Sequence, residues 1–227
     1  MAIKNEKKEI RPFILKNGIF VAGHPRSGTS LVCQLLESAG VNFLSDIKPD
    51  KYNNEGYFEL SSAKELEKRL IDDAMTNENI ISLNKIVKTL NDTKELSGLK
   101  IVHIPSIFFY NHIAKNIRAI FIFRNPADVK SSMLRRGISK FKLTWFENNN
   151  ALISAYENIE KSIILSYESI IEGKSCVKKA FKKLGFNVDM AVIKRGSQTQ
   201  KNSKLVIADE EIKLYKLLKK FEKQICK

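Results

Sequence analysis

Residues 18–36 constrain the fold more than any other stretch of this chain. Gly18-Ile19-Phe20-Val21-Ala22-Gly23 is a short apolar run closed by glycine, the pattern of a strand buried on both faces. His24-Pro25-Arg26-Ser27 follows, and then Gly28-Thr29-Ser30 opens a helix. Leu31, Val32, Leu35 and Leu36 continue that helix at helical spacing, and Gly40 is its stop signal. A strand, a glycine-bounded loop and a helix in this order make an anion cradle. Backbone N–H groups of the loop point inward, and the helix N-terminus adds partial positive charge.

The same alternation recurs along the chain. Val41-Asn42-Phe43-Leu44 reads as a second strand, and residues 45–60 form a loop rich in turn formers. Ser61 or Ser62 caps a following helix, with Glu65 placed for a capping box from Ser62. Ile101, Val102 and Ile104 mark a third strand. Arg118–Phe123 is a fourth, ending at Arg124-Asn125-Pro126, and Pro126 suits the first turn of a helix reaching about Arg136. Residues 143–162 read as one longer helix and Ile163-Ile164-Leu165 as a fifth strand. Val177, Ala180, Phe181 and Leu184 share a helical face that Gly185 ends. Residues 194–204 form a basic loop without apolar periodicity, and residues 208–226 a last amphipathic helix.

Short buried strands alternating with helices predict an α/β fold, with a central parallel sheet flanked by helices in three layers. No repeat or Gly/Pro/Ser-rich linker divides the 227 residues. A single domain over 1–227 is expected, with a lead-in at 1–17, a core over about 18–200 and the C-terminal helix at 208–226.

Charge and cysteine content narrow the function classes. The formal charge is +14, carried mostly by scattered lysines, which suits either solvated surface or attraction of an anionic partner. Cys33, Cys176 and Cys226 are too few and too widely spaced for a disulfide framework or a zinc cluster, and they fit a reducing compartment. Nothing approaches 18 consecutive apolar residues, and the N-terminus lacks the apolar core of a secretory signal. No transmembrane segment and a cytoplasmic location are the expectations.

Two motifs carry chemistry. The loop Gly23–Ser30 nearly matches the nucleotide-binding pattern GxxxxGK[ST], but Thr29 stands where the lysine belongs and the cation is Arg26, inside the turn. A triphosphate site needs that lysine and Mg²⁺, so the loop suits a group with less charge to offset. The second motif is Phe123-Arg124-Asn125-Pro126-Ala127-Asp128-Val129-Lys130-Ser131-Ser132. Arg124 ends a strand, and Ser132 lies about two turns along the helix that follows. Ligands of open α/β sheets bind beyond the carboxyl ends of strands, and a guanidinium with a nearby hydroxyl suits a phosphate.

Taken as a pair, GHPRSGTS and FRNPADVKSS resemble the sulfotransferases that use 3′-phosphoadenosine 5′-phosphosulfate (PAPS). The resemblance implies a fold like that of the P-loop nucleotide kinases and metal-independent, in-line sulfuryl transfer. It implies that Arg26, Ser27, Gly28, Thr29 and Ser30 hold the 5′-phosphosulfate, and that Arg124 and Ser132 hold the 3′-phosphate. Ile163-Ile164-Leu165-Ser166-Tyr167-Glu168-Ser169 resembles the family's strand whose tyrosine lies near the adenine, here Tyr167. Lys194-Arg195-Gly196 resembles the basic loop that closes over the 3′-phosphate, with its first two residues in reversed order. The leaving product is adenosine 3′,5′-bisphosphate. The acceptor presents a hydroxyl or an amine, with a saccharide or a small metabolite among the fitting classes.

Three residues are candidates for the general base beside catalytic Arg26. Glu55 and Glu59 lie in Asn53-Asn54-Glu55-Gly56-Tyr57-Phe58-Glu59, which resembles the glutamate-bearing loop of carbohydrate-acting and bacterial relatives. His103, in Lys100-Ile101-Val102-His103-Ile104-Pro105, resembles the histidine of the phenol and steroid enzymes. The glutamates rank slightly ahead on the loop match. His24 shapes the turn or touches ligand, and Cys33 is packing. Phe108, Phe109 and Tyr110 wall the acceptor site or fill the core. Two other functions compete: a P-loop small-molecule kinase, against which Thr29 argues, and a non-catalytic polyanion binder. No nucleic-acid-binding motif is present, and nothing in the chain reads out its oligomeric state.

Overall fold

The structure, a computed structural model, describes residues 10–50, 56–72, 76–93, 95–193 and 205–226. Five strands form one parallel sheet: β1 (Leu15–Ala22), β2 (Val41–Phe43), β3 (Leu96–Ile101), β4 (Ala114–Phe123) and β5 (Ser162–Ser166). Their spatial order is β2-β3-β1-β4-β5, so β1 lies in the middle. The strands read as continuous apolar runs because both faces are covered. Phe20, Ala22, Leu99, Ile101, Phe121, Phe123 and Ile164 face one side. They pack on α2 (Ser61–Asp72), α3 (Asn77–Asp92), α4 (Ile107–Ile113), α5 (Pro126–Leu134), α6 (Trp145–Asn158) and α9 (Asp209–Ile225). Ile19, Val21, Ile120, Ile122, Ile163 and Leu165 face the other side. They pack on α1 (Thr29–Glu37), α7 (Tyr167–Ile171) and α8 (Ser175–Lys183). The three layers expected from the alternation are present.

The sheet positions the site. From β1 the chain crosses to β2 at one edge, and only later returns to place β4 and β5 on the other side of β1. The carboxyl ends of β1 and β4 lie side by side, with Ala22 paired to Phe121. That is the switch point at which such sheets open a crevice for ligands.

Several elements differ from expectation, each for a physical reason. β1 begins at Leu15, inside the expected lead-in, because Leu15 is fully buried and pairs with Ala114 of β4. β4 accordingly starts at Ala114 rather than Arg118. β3 ends at Ile101. Val102 N–H and His103 N–H leave the ladder for the Glu67 carboxylate, and Ile104 turns into a 3₁₀ helix before Pro105. The Ser62–Glu65 capping box does not form: Asp46 caps α2 by accepting from Ser61 N–H and Oγ, while Glu65 pairs with Lys68. Helix α3 was not anticipated as a separate element.

The cysteine expectation needs correcting. Cys176 and Cys226 are disulfide-bonded, 50 residues apart in sequence with Cα atoms 4.9 Å apart. Helices α8 and α9 both contact β5, which brings together cysteines whose chain spacing suggests no pairing. The cysteine argument for a reducing compartment falls with it. Cys33 is the free, buried cysteine on α1. The last helix closes the core with Leu214 and Leu218. Among the described residues no helix is long and apolar enough to cross a membrane.

Candidate active site

The loop after β1 is shaped by conformations that few residues adopt. Gly28, the residue before α1, has φ 97°, and Arg26 has φ 75°, a left-handed value that costs a non-glycine residue free energy. A Cβ at Gly23 would meet the Ile122 carbonyl at 2.5 Å, so β4 can lie against the loop only because residue 23 is glycine. Ser27 is fully buried and its N–H bonds the His24 carbonyl at 3.0 Å, so Ser27 shapes the turn from inside. His24 is buried too. It contacts the Pro25 carbonyl through Nδ1 at 2.7 Å and packs edge-on to Phe141.

The end of β4 supplies the second cation. Arg124 is 5% exposed, donates from Nη1 to the Arg26 carbonyl at 3.3 Å, and stacks over the Tyr167 ring at 4.4 Å. Trp145 Nε1 donates to the Arg124 carbonyl, and Asn125 caps α5 by accepting from Ala127 N–H. Arg26 reaches across the switch point and donates from Nε to Ser132 Oγ at 3.1 Å. The two motifs therefore meet in space although about a hundred residues separate them. Among the described residues neither arginine has a carboxylate within ion-pair distance, and Arg124 Nε is buried without a partner. Burial and the neighbouring Arg136 and Arg124 lower the Arg26 guanidinium to about 10, which leaves it charged at neutral pH. Paired cations without carboxylates, one of them buried, are stable where an anion joins them.

A cavity of about 870 Å³ opens over these groups. Arg26, Gly28, Thr29, Ser30, Arg124 and Tyr167 line one part, and Glu59, Lys100 and His103 another. Lys100 is nearly buried. Its ammonium donates to Ser30 Oγ at 3.2 Å, the Tyr57 carbonyl at 2.7 Å and Glu59 Oε1 at 2.9 Å. Lys64 holds the other Glu59 oxygen at 2.8 Å. Burial alone would raise the Glu59 carboxyl, but Lys100 and Lys64 outweigh it and hold it below the usual carboxylate range. His103 sits just past β3, with Nδ1 3.5 Å from Glu67 Oε2.

A profile of the sulfotransferase domain matches residues 16–183. The chain belongs to the sulfotransferase domain family. The described sulfotransferase fold is also similar to solved structures at low identity. A sulfotransferase domain from the Synechococcus olefin synthase shares 17% identity at a TM-score of 0.57, over 95% of this chain and 97% of that one. A sulfotransferase domain from the curacin biosynthetic pathway shares 14% identity at a TM-score of 0.53, over 93% and 99%. No curated protein sequence matches.

Within this sulfotransferase the structure gathers Arg26, Gly28, Thr29, Ser30, Arg124, Ser132 and Tyr167 at one crevice, with Glu59 and His103 on the same cavity. Glu55, Lys194, Arg195 and Gly196 lie outside the described residues. Of the aromatic cluster, Tyr110 packs in the core against Phe20. Lys100 and Glu67, which contact Glu59 and His103, stand outside the sequence candidates. A lysine inside a buried strand, flanked by Leu99 and Ile101, was the available signal for the first. Glu67, on the apolar face of α2 with Ala63, Leu66 and Leu70, was the signal for the second.

Proposed function

We propose that this sulfotransferase moves a sulfuryl group from PAPS to a hydroxyl or amine of an acceptor, by in-line displacement. The observation that carries the reading is the meeting of Arg26 and Arg124 at the switch point, two cations from separate motifs with no carboxylate partner among the described residues. The residues present fit the donor. The buried, partnerless Arg124 Nε and the Ser132 hydroxyl would hold the 3′-phosphate, with Tyr167 beside them. Arg26, Thr29, Ser30 and the first N–H groups of α1 would hold the 5′-phosphosulfate. When bound, the donor supplies an activated sulfuryl group on a phosphate leaving group.

This chain's residues then orient and neutralise. Arg26 and the N-terminus of α1 are preorganised donors for charge that grows at the leaving oxygen. Lys100, held by Glu59 and Ser30, adds a fixed ammonium on the cavity wall. Glu59 is committed to two lysines, which makes it a poor proton acceptor and a good anchor for Lys100. With Glu59 tied to two lysines, His103, which opens on the cavity, is the favoured base of the two described candidates. It would take the acceptor's proton, a contribution of roughly 10²–10⁴ in rate.

The test is transfer from radiolabelled PAPS to a panel of hydroxyl and amine acceptors, saccharides included. Arg26→Ala is expected to lower kcat by about 10²–10³, the usual loss for one preorganised donor. Phosphoryl transfer from Mg²⁺-ATP, with none from PAPS, would overturn the proposal.

A further inference from the structure

We propose that Glu67 is a positioning residue that keeps the proton of neutral His103 on Nδ1 and leaves Nε2 bare toward the cavity. This rests on the reading of His103 as the base.

Glu67 projects from α2 into the interior beneath the end of β3 and is 1% exposed. Burial pushes its carboxyl up, and contacts from the His103 ring, His103 N–H and Val102 N–H oppose that rise only in part. Oε2 accepts from Val102 N–H and His103 N–H, both at 3.1 Å, and lies 3.5 Å from His103 Nδ1. The two backbone bonds alone would be a structural cap for a chain leaving the sheet, and any neutral acceptor could make them. They do not explain a carboxylate set against an imidazole nitrogen.

The ring's orientation carries the argument further. His103 Nδ1 is shut away from solvent and faces Glu67, while the ring itself lines the cavity. Nε2 is therefore the nitrogen that meets the acceptor. A neutral imidazole has one N–H, and a carboxylate can only accept, so the proton belongs on Nδ1. Nε2 then holds a free lone pair. The 3.5 Å separation is long for a hydrogen bond, as orienting contacts often are before a site is loaded. As the acceptor oxygen bonds to sulfur, its proton passes to Nε2. The bond between sulfur and the donor's phosphate oxygen breaks, and its electron pair leaves with the bisphosphate. The imidazolium so formed lies beside the Glu67 carboxylate, which stabilises it.

Nuclear magnetic resonance of nitrogen-labelled histidine tests this directly in the full chain loaded with adenosine 3′,5′-bisphosphate. The chain has only three histidines, so His103→Gln assigns the ring by loss of its signals. At about pH 8, above the ordinary histidine value, the wild type is expected to show a protonated Nδ1 and a bare Nε2. Glu67→Leu removes the Oε2 acceptor from the two backbone N–H groups and from Nδ1 alike. It should move the proton to Nε2 and lower kcat by about 10²–10⁴, the worth of a general base, with the KM for PAPS within about twofold. A wild-type proton on Nε2, or a kcat loss in Glu67→Leu without a change of tautomer, would overturn the inference. If Glu67→Leu no longer binds the bisphosphate, the wild-type spectrum decides alone. An unchanged kcat in His103→Gln would instead remove the base reading and leave the tautomer result standing.

Discussion

His24 is a charge problem solved by staying neutral. It sits inside the loop between β1 and α1 at 2% exposure, and burial lowers its pKa from 6.5 to about 4, against a smaller opposing pull from the Pro25 carbonyl. The unfolded chain therefore binds a proton between about pH 6.5 and 4 that the folded chain refuses. Stability from this group is full above 6.5 and is lost as pH falls toward 4, by about 3 kcal/mol at one unit per 1.36 kcal/mol. Denaturant unfolding of wild type and His24→Asn should differ in pH slope over that window. Parallel slopes would show that the ring is not held neutral. At this scale the sequence made Arg26, Arg124 and Ser132 legible, because their spacing sits in local motifs. Lys100 and Glu67 were not legible as functional residues. Their meaning comes from partners at Ser30, Glu59 and His103, which only the folded sheet brings close.

Gly28, just before α1, and Gly40, just after it, both hold left-handed φ values, but they differ in their surroundings. Gly28 combines φ 97° with a close neighbour: a Cβ there would lie 2.4 Å from Tyr167 Cδ2. Tyr167 in turn supports Arg124. Gly40 has φ 83° but nothing within 4 Å of its missing Cβ. Gly40→Ala should cost only backbone strain, on the order of 1 kcal/mol, while Gly28→Ala should cost about 1–3 kcal/mol and also weaken bisphosphate binding. Thermal unfolding and calorimetry of the pair separate strain from contact; equal binding by both variants would contradict the role given to Tyr167. Apolar runs and glycine stops made the strands and most helices readable. Where the reading slipped, at the end of β3 and the start of α2, a distant carboxylate from Glu67 or Asp46 takes the backbone N–H groups. The Cys176–Cys226 pair was hidden for the same reason, since α8 and α9 are distant in sequence and come together by packing on β5.

The whole molecule places its two motifs at one switch point of one sheet. Order β2-β3-β1-β4-β5 sets the ends of β1 and β4 together, and the helices on both faces leave their carboxyl edge open. A chain of formal charge +14 surrounds that crevice with a field that favours anions, and lysines from two loops, α2 and β3 line the cavity. The fold positions Arg26 and Arg124 together at that crevice. The most direct measurement is calorimetric titration of adenosine 3′,5′-bisphosphate into wild type and Arg124→Ala, with and without Mg²⁺. The account predicts binding by wild type that does not depend on Mg²⁺. It predicts weakening in the variant by about 10- to 100-fold, the loss expected for a charged hydrogen-bonding group. Equal affinity in the two proteins, or Mg²⁺-dependent binding of ATP with none of the bisphosphate, would contradict it.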